Sequence, residues 1–259
     1  MNKTIFISGG TSGINLGIAK GFAALGANVL VFGRDAEKAD KAAASLRAET
    51  GARVMAGSAD VRNHDAIQSL FVRALAELGS PDVVIAGAAG NFMAPAVAIS
   101  PNGFKSVVDI DLLGTYNVFR AAFDIAKKPG ASFIAITAPQ AVQPLPLQVH
   151  VCAAKAGVNM VVKVLAMEWG QVGIRVNAIS PGPIAGTEGV ERMAPTEADK
   201  AAWTQRTAIR RFGTPQDIAQ TAIFLSSKEA SYITGTIVDC DGGMKLGDAS
   251  GDFTTLPRR

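Results

Sequence analysis

A lysine and an absent phenol limit the chemistry open to this sequence. Lys155 lies in a helical stretch, but the residue four positions before it, where a phenolic proton donor would stand, is Val151. Neither Tyr116 nor Tyr232, the two tyrosines of the chain, has a lysine one helical turn downstream. Reduction of a ketone needs an immediate proton donor at the carbonyl oxygen, and valine cannot serve as one. Any hydride chemistry must therefore run without a Tyr-x-x-x-Lys pair.

Proton delivery must then come from another titratable group. His150 is one titratable candidate, either as acid or substrate contact, or as a helix cap or packing group. Lys155 would contact a cofactor ribose and supply positive charge, unless it is a surface lysine of an amphipathic helix.

A glycine-rich loop predicts where a dinucleotide binds. The stretch Gly9-Gly10-Thr11-Ser12-Gly13-Ile14-Asn15-Leu16-Gly17 follows an apolar strand and opens a helix, so backbone amides can face a pyrophosphate. Gly9 permits the tight turn, and Gly13 lets the backbone approach the phosphates. Asn15 stands where a further glycine is usual, and we expect it to tolerate a left-handed backbone. The cofactor contacts expected in this loop are Gly9, Thr11, Ser12, Gly13 and Ile14.

Loops after later strands extend the predicted cofactor site. Arg34 follows the second strand at the position where an NAD-binding chain would carry a carboxylate. Its planar guanidinium suits a 2′-phosphate, so Arg34 favours NADPH as the cofactor. The alternative is that Arg34 is a solvated charge in a loop. Asp60 could accept a hydrogen bond from the adenine amine, although it could equally be an ordinary turn residue. The remaining contacts expected here are Val61, Ala88 and Gly90.

Apolar runs alternate with helical patterns, which predicts an α/β fold with a Rossmann-type, doubly wound parallel sheet. The expected strands are 4–8, 28–33, 53–58, 83–86, 132–137, 175–180 and 236–241. The expected helices lie near 18–25, 37–49, 64–78, 104–127, 150–169 and 215–225. The order of the strands stays open. We expect one domain over residues 1–259, with a mobile helix pair covering the substrate at about 183–211.

Composition limits which binding partners and which cellular compartment we expect. The formal net charge is +3, with basic and acidic residues intermixed, so no nucleic-acid surface is indicated. Cys152 and Cys240 are too few for a disulfide scaffold or a cysteine-rich metal site, and no metal is expected. Apolar runs look too short to span a membrane, no signal peptide precedes the first strand, and Leu256-Pro257-Arg258-Arg259 is not a Ser-Lys-Leu address. We therefore expect a cytoplasmic protein.

Taken together, the spaced motifs resemble the short-chain dehydrogenase/reductase family over nearly the whole chain. These motifs are Gly9 to Gly17, Asp60, Gly87 to Gly90, Lys155 and Pro181-Gly182-Pro183-Ile184. The resemblance adds Pro181, Gly182 and Ile184 to the expected cofactor contacts. The family normally uses Asn, Ser, Tyr and Lys, and motif alignment places Asp111, Ala138 and Val151 at the first three of these positions.

Several stretches are similar to one branch of that family, the peroxisomal-type 2,4-dienoyl-CoA reductases. They are Ala88-Ala89-Gly90-Asn91-Phe92, Ser100-Pro101-Asn102-Gly103-Phe104, Asp109-Ile110-Asp111, Leu147-Gln148-Val149-His150 and Pro181 to Gly189. That branch also lacks the tyrosine and uses aspartates that match Asp111 and Asp241. The resemblance implies that Asp111 holds or polarises a water that donates the proton, with Asp241 on the last strand as its partner, since paired carboxylates can form a usable acid. The alternatives are structural: a helix cap for Asp111 and a turn residue for Asp241. The resemblance implies NADPH-dependent reduction of a 2,4-dienoyl-CoA to a 3-enoyl-CoA, in fatty acid β-oxidation, by a homotetramer. Asn91, Phe92 and His150 would contact this acyl-CoA substrate.

A conjugated thioester explains why no phenol is needed. Hydride arrives at the far end of the conjugated system, and the negative charge spreads into a dienolate that a hydrogen-bond donor at the thioester oxygen can stabilise. Two other interpretations stay open. One is a carbonyl or hydroxyl oxidoreductase with an atypical acid, either His150 or a bound water. The other is a catalytically silent NADP-binding module that regulates or scaffolds.

Overall fold

Seven short apolar segments pair as the strands of one parallel sheet in the computed structural model, which describes residues 3–251. The strands are β1 (Thr4–Ser8), β2 (Asn28–Gly33), β3 (Val54–Ser58), β4 (Val83–Ala86), β5 (Ser132–Ile136), β6 (Arg175–Pro181) and β7 (Ile237–Cys240). Their order across the sheet is β3-β2-β1-β4-β5-β6-β7. The chain moves from β1 to β2 and β3 on one side and then returns to place β4 on the other side of β1. The loops after β1 and β4 therefore flank a topological switch point, where open α/β sheets bind ligands.

Helices connect the strands and cover both faces of the sheet. They are α1 (Gly13–Ala24), α2 (Ala36–Thr50), α3 (His64–Leu78), α4 (Pro101–Val108), α5 (Gly114–Phe123), α6 (Val149–Trp169), α7 (Glu188–Met193), α8 (Glu197–Arg206) and α9 (Pro215–Leu225). Successive residues of β1 point to opposite faces, so Phe6 packs in the core beneath α3, α5 and α6, while Ile5 and Ile7 pack beneath α1, α2 and α9. This arrangement confirms the predicted Rossmann-type, doubly wound sheet.

The helix predicted over 104–127 is divided into three parts. It begins at Pro101, because the Ser100 side chain caps the helix by accepting from the Gly103 amide at 3.1 Å. A π-helical turn, Asp109–Leu113, separates α4 from α5. Such turns insert one extra residue into a helix and are frequent at functional sites. Here the turn contains the buried Asp111.

Helix α6 is more apolar than the sequence pattern indicated. Val149–Val172 is long and apolar enough, by length and composition alone, to cross a membrane, against our expectation that no run reaches that length. Half of its most apolar window is buried inside the protein. It packs Val158 and Val162 into the core beneath the sheet, which is the behaviour of a core helix.

Two short helices, α7 and α8, occupy the segment predicted to cover the substrate. Thr187 and Thr196 cap them, each accepting a hydrogen bond from a backbone amide of the first turn. A substrate-covering role for this helix pair stays a prediction. The terminal residues 256–259, which entered the compartment prediction, lie outside the described part of the chain.

Candidate active site

The two strongest catalytic candidates meet in one buried ion pair. Lys155 Nζ lies 3.1 Å from Asp111 Oδ2, and the two side chains are 7% and 1% exposed. Lys155 Nζ also donates to the carbonyl oxygen of Ile136, at the end of β5, at 3.0 Å. Lys155 is therefore not a surface lysine, and its ammonium retains capacity for a third hydrogen bond.

The Asp111 carboxylate is held at one oxygen by the loop after β4. Its Oδ1 accepts from the Gly90 amide at 2.7 Å, whereas Oδ2 faces Lys155 without accepting a well-aligned hydrogen bond from any described residue. Asp111 lies inside the π-helical turn of a continuous helix, so it does not cap a helix end. One oxygen is thus anchored, and the other is available to a ligand or a water.

No tyrosine hydroxyl of the described residues reaches this pair. Val151 is buried against Val107 and Ala154, so apolar packing fills the position one turn before the lysine. Tyr116 lies on the outer surface of α5, and Tyr232 is fully exposed. The structure of this chain therefore offers no phenol to replace Val151.

His150 is fully buried next to the predicted acyl pocket. Its ring lies 4.3 Å, centroid to centroid, from the ring of Phe92, which is 38% exposed. Neither ring nitrogen makes a well-aligned hydrogen bond to a described residue, although the backbone of Phe92 lies close enough to interact with the imidazole. Burial lowers the pKa of His150, and the backbone of Phe92 and the charge of Asp111 oppose that shift only partly. At neutral pH the imidazole is therefore uncharged, with hydrogen-bonding capacity left for a ligand.

Asp241 follows β7 and bonds to the backbone of its own turn. Its Oδ1 accepts from the Gly243 amide and its Oδ2 from the Lys245 amide, both at 2.8 Å. These bonds match the alternative interpretation of Asp241 as a turn residue. The contacts within this chain give no support to a water shared by Asp241 and Asp111.

A buried glutamine network was not apparent from the sequence. Gln148 is fully buried, accepts from Gln140 Nε2 at 3.0 Å, and donates through Nε2 to Asn91 Oδ1 at 3.3 Å. Arg192, on α7, donates to the carbonyl oxygen of Asn91 at 3.2 Å. Glutamines in a loop carry no catalytic signature, so only the folded chain reveals that Gln148 bonds to Asn91 and that Arg192 connects Asn91 to α7.

The glycine loop after β1 has the geometry of an anion cradle. Gly13 opens α1 with φ +54°, and a Cβ added there would meet only Thr187 Cγ2, at 3.9 Å, within 4 Å. The side chain of the N-cap residue Ser12 makes no capping bond, and the first turn contains no acidic residue. Free first-turn amides and open space above Gly13 fit a pyrophosphate. Thr11 and Ile14 flank this opening, with Thr11 in contact range of the end of β2.

The expectation for Asn15 was wrong. It is the third residue of α1 and has a right-handed helical backbone, so it does not substitute for a left-handed glycine. Its side chain instead donates from Nδ2 to the carbonyl oxygen of Gly87 at 2.8 Å.

The adenosine end of the predicted site contains an arginine that the sequence did not single out. Arg62 forms a bidentate pair with Asp60, and this bonding holds the pKa of Asp60 below its usual range. The guanidinium of Arg34 is exposed and has no hydrogen-bond or ion-pair partner among the described residues. Arg34 is therefore free to bind an anion, whereas the Asp60 carboxylate already has a strong partner.

The remaining predicted contacts line the edge of the sheet where its strands end. Val61 is buried and its carbonyl accepts from Asn117 Nδ2 at 2.9 Å. The Gly182 amide donates to the Cys240 carbonyl at 3.1 Å, and a Cβ on Gly182 would lie 2.6 Å from Asp241 Cα. Pro181 ends β6, and the buried Ile184 leads from it to Thr187 above the glycine loop.

Comparison with known proteins identifies the protein family and the class of enzyme. The family model described as enoyl-(acyl carrier protein) reductase matches residues 9–245. The chain belongs to the short-chain dehydrogenase/reductase family and is an oxidoreductase. Membership implies a nicotinamide cofactor, which the cradle at Gly13 fits.

Similar proteins include reductases of unsaturated acyl-CoA. A peroxisomal 2,4-dienoyl-CoA reductase [(3E)-enoyl-CoA-producing] of Rattus norvegicus is 41% identical over 243 residues, covering 93% of this chain and 83% of the relative. A Bacillus subtilis (strain 168) protein named "Probable 2,4-dienoyl-CoA reductase [(2E)-enoyl-CoA-producing]" is 39% identical, with 94% and 97% covered. A short chain dehydrogenase structure from Bacillus anthracis is 38% identical, with a TM-score of 0.81 and 93% and 96% covered.

The names of several relatives contradict the prediction of a cytoplasmic protein. The relatives from Rattus norvegicus, Pongo abelii and Danio rerio are all named as peroxisomal. Compartment is set by receptor-read address signals rather than by the fold, so the residues that build the sheet and site could not decide it.

Proposed function

We propose that this protein reduces a 2,4-dienoyl-CoA to an enoyl-CoA with NADPH. The observation that carries the proposal is the buried Lys155–Asp111 pair standing beside an apolar Val151. A ketone reductase would need a proton donor at this position, whereas a dienoyl thioester disperses its charge and tolerates the valine. Relatives that are 35–41% identical over 93% or more of this chain are named as reductases of this substrate class.

The roles of the chain's own residues follow from their positions. When bound, the cofactor supplies the hydride. The remaining N–H of the Lys155 ammonium binds the ribose and places positive charge beside the reacting carbons. Asp111 Oδ2 holds the water that donates a proton to carbon, because its other oxygen is fixed by Gly90. His150, neutral and without a well-aligned hydrogen bond among the described residues, offers a hydrogen-bond donor to the thioester oxygen, and Phe92 and Asn91 flank the acyl chain.

NADPH is favoured over NADH by the residue at the end of β2. Arg34 is exposed, unpaired among the described residues and not accompanied by a carboxylate in Phe32-Gly33-Arg34. A guanidinium can bind a 2′-phosphate bidentately, whereas NAD sites carry a carboxylate for the ribose hydroxyl.

The position of the remaining double bond is the decisive test. The relatives divide between (3E)- and (2E)-enoyl-CoA producers, and we propose the 3-enoyl product. Purified protein is mixed with NADPH and a 2,4-dienoyl-CoA, cofactor consumption is followed at its absorbance band, and the product is identified by NMR. Activity confined to simple ketones would instead select the carbonyl oxidoreductase interpretation. Tight NADPH binding without oxidation across both substrate classes would select the silent module.

We also propose a homotetramer built through α5 and α6. Apolar and aromatic side chains on the outer surface of these helices are solvent-exposed in the single chain, with Tyr116, Met160 and Val164 at 41%, 59% and 42%. Exposed apolar patches of this kind commonly bury themselves in subunit contacts. A second copy of the chain is the occupant that the family resemblance predicts.

A further inference from the structure

We infer that Asn15 is a positioning residue, matched in size to Gly87, that sets the loop holding the Asp111 carboxylate. The inference rests on the proposed function only in giving Asp111 a catalytic role. Its structural part, the coupling of the α1 helix start to the Asp111 carboxylate, can be measured without turnover.

The loop after β4 is anchored at its first residue from two sides. Asn15 Nδ2 donates to the Gly87 carbonyl at 2.8 Å. Ser8 Oγ, at the end of β1, accepts from the amides of Gly87 and Ala88 at 3.0 and 3.3 Å. The carbonyl and the amide of Gly87 are thus both tied to the β1–α1 unit that carries the cofactor loop.

The same loop is anchored at its other end by the catalytic candidate. The Gly90 amide, three residues after Gly87, donates to Asp111 Oδ1 at 2.7 Å. A shift of Gly87 is therefore transmitted through a short backbone segment to the one hydrogen bond that orients the Asp111 carboxylate. Because the loops after β1 and β4 meet at the switch point, Asn15 connects the cofactor cradle to the acid.

Steric fit makes Asn15 and Gly87 interdependent. A Cβ on Gly87 would lie 2.2 Å from Asn15 Oδ1 and 2.5 Å from Asn15 Nδ2, which no side chain can occupy. Asn15 therefore fills the space that glycine leaves open at position 87. A smaller residue at position 15 would remove this obstacle and would also remove the bond to the Gly87 carbonyl.

Packing alone does not account for the amide. Asn15 is 8% exposed, and its Oδ1 accepts no hydrogen bond from the described residues. An apolar side chain of similar size would fill the space without leaving a buried unsatisfied oxygen, which is costly. The donated bond to Gly87 is the feature that an apolar residue could not reproduce.

The test separates the hydrogen bond from the volume. Asn15→Asp keeps the shape but places an acceptor against the Gly87 carbonyl, Gly87→Ala introduces the clash, and Asn15→Gly/Gly87→Ala removes it. We expect Asn15→Asp to lower kcat by about 10-fold, the effect of losing one buried hydrogen bond, while the KM for the dienoyl-CoA stays within about 2-fold. We expect Gly87→Ala to lose most activity and the double variant to recover at least part of it. No recovery in a folded double variant would overturn the size match.

A turnover-free measurement makes the inference independent of the substrate. Hydrogen exchange of the peptide containing Gly90 should accelerate in Asn15→Asp, and the Kd for NADPH, measured by fluorescence, should rise. Asn177→Ala is the matched control, since Asn177 Nδ2 also donates to a buried backbone carbonyl, that of Ile233 at 3.0 Å, but on β6. The control should lower stability and leave the exchange of the Gly90 peptide unchanged. Unchanged exchange and NADPH affinity in Asn15→Asp would refute the coupling even if the dienoyl-CoA proves to be the wrong substrate.

Discussion

Replacing Asp111 by asparagine tests the proposed acid while preserving its shape. The amide oxygen of Asn can still accept from Gly90, but the negative charge that lies 3.1 Å from Lys155 Nζ is lost. General acid–base support contributes about 10²–10⁴ to turnover, which corresponds to about 3–5 kcal/mol of transition-state stabilisation. We expect kcat for a 2,4-dienoyl-CoA to fall by that factor, measured as NADPH oxidation per folded site.

Stability provides the second half of this test. Asp111→Asn leaves a buried lysine without its counter-ion, and breaking a buried pair costs about 3–5 kcal/mol. Asp111→Asn/Lys155→Met removes both charges and should recover part of the free energy of unfolding, measured with urea, without recovering turnover. Asp109→Asn, in the same π-helical turn but paired with the exposed Lys105, is the control and should keep normal turnover. Normal turnover in folded Asp111→Asn, or its return in the double variant, would show that the pair is structural.

Three further variants address the histidine, the cofactor phosphate and the assembly. Because burial lowers the pKa of His150, the folded chain binds fewer protons than the unfolded chain below about pH 6.5, so stability should decline from pH 7.5 to 5.5. In urea unfolding, His150→Gln should reduce that decline; an equal decline in the variant and in the unmodified chain would remove His150 as the cause. Arg34→Ala should lower kcat/KM for NADPH by about 10- to 100-fold, the loss of a charged hydrogen bond, and leave NADH use unchanged, so an equal loss with both cofactors would contradict the 2′-phosphate contact. If the chain forms the proposed tetramer, Met160→Glu should dissociate it in analytical ultracentrifugation, and an unchanged sedimentation coefficient would contradict an interface through α6.

The pattern of apolar residues predicted most of the strands and helices. Seven of the predicted strand and helix starts, such as β1 at Thr4 and α3 at His64, lie where the sequence predicts them, because they depend on continuous apolar runs or side-chain caps. The early start of α1 at Gly13 was missed, because a loop built for an anion has polar and glycine residues in its first helical turn. The π-helical turn was also missed, since one inserted residue leaves the apolar periodicity on either side almost intact.

Residue types and the family resemblance singled out Lys155 and Asp111, but not the contacts that orient them. Asp111 and Lys155 are far apart in sequence, and only the strand order brings the ends of β4 and β5 together beneath them. Asn15 was noticed as a departure from glycine and given the wrong reason, because a side-chain bond to Gly87 depends on the unpredicted meeting of two loops. For Asp241 the outcome is the opposite. The family resemblance singled it out for a catalytic role, but its hydrogen bonds in this chain stabilise a turn.

The arrangement explains how a reductase site can lose its phenol without losing its fold. A tyrosine at position 151 would act from α6, whereas Asp111, the carboxylate proposed to take over, lies in the π-helical turn between α4 and α5. Lys155 is oriented by the carbonyl of Ile136, at the end of β5, and Asp111 by the amide of Gly90, in the loop after β4. Backbone groups are present whatever the side chains, so position 151 can become apolar while the sheet continues to align the lysine. The π-helical turn holds a carboxylate 3.1 Å from that lysine, and none of these contacts involves the side chain at position 151.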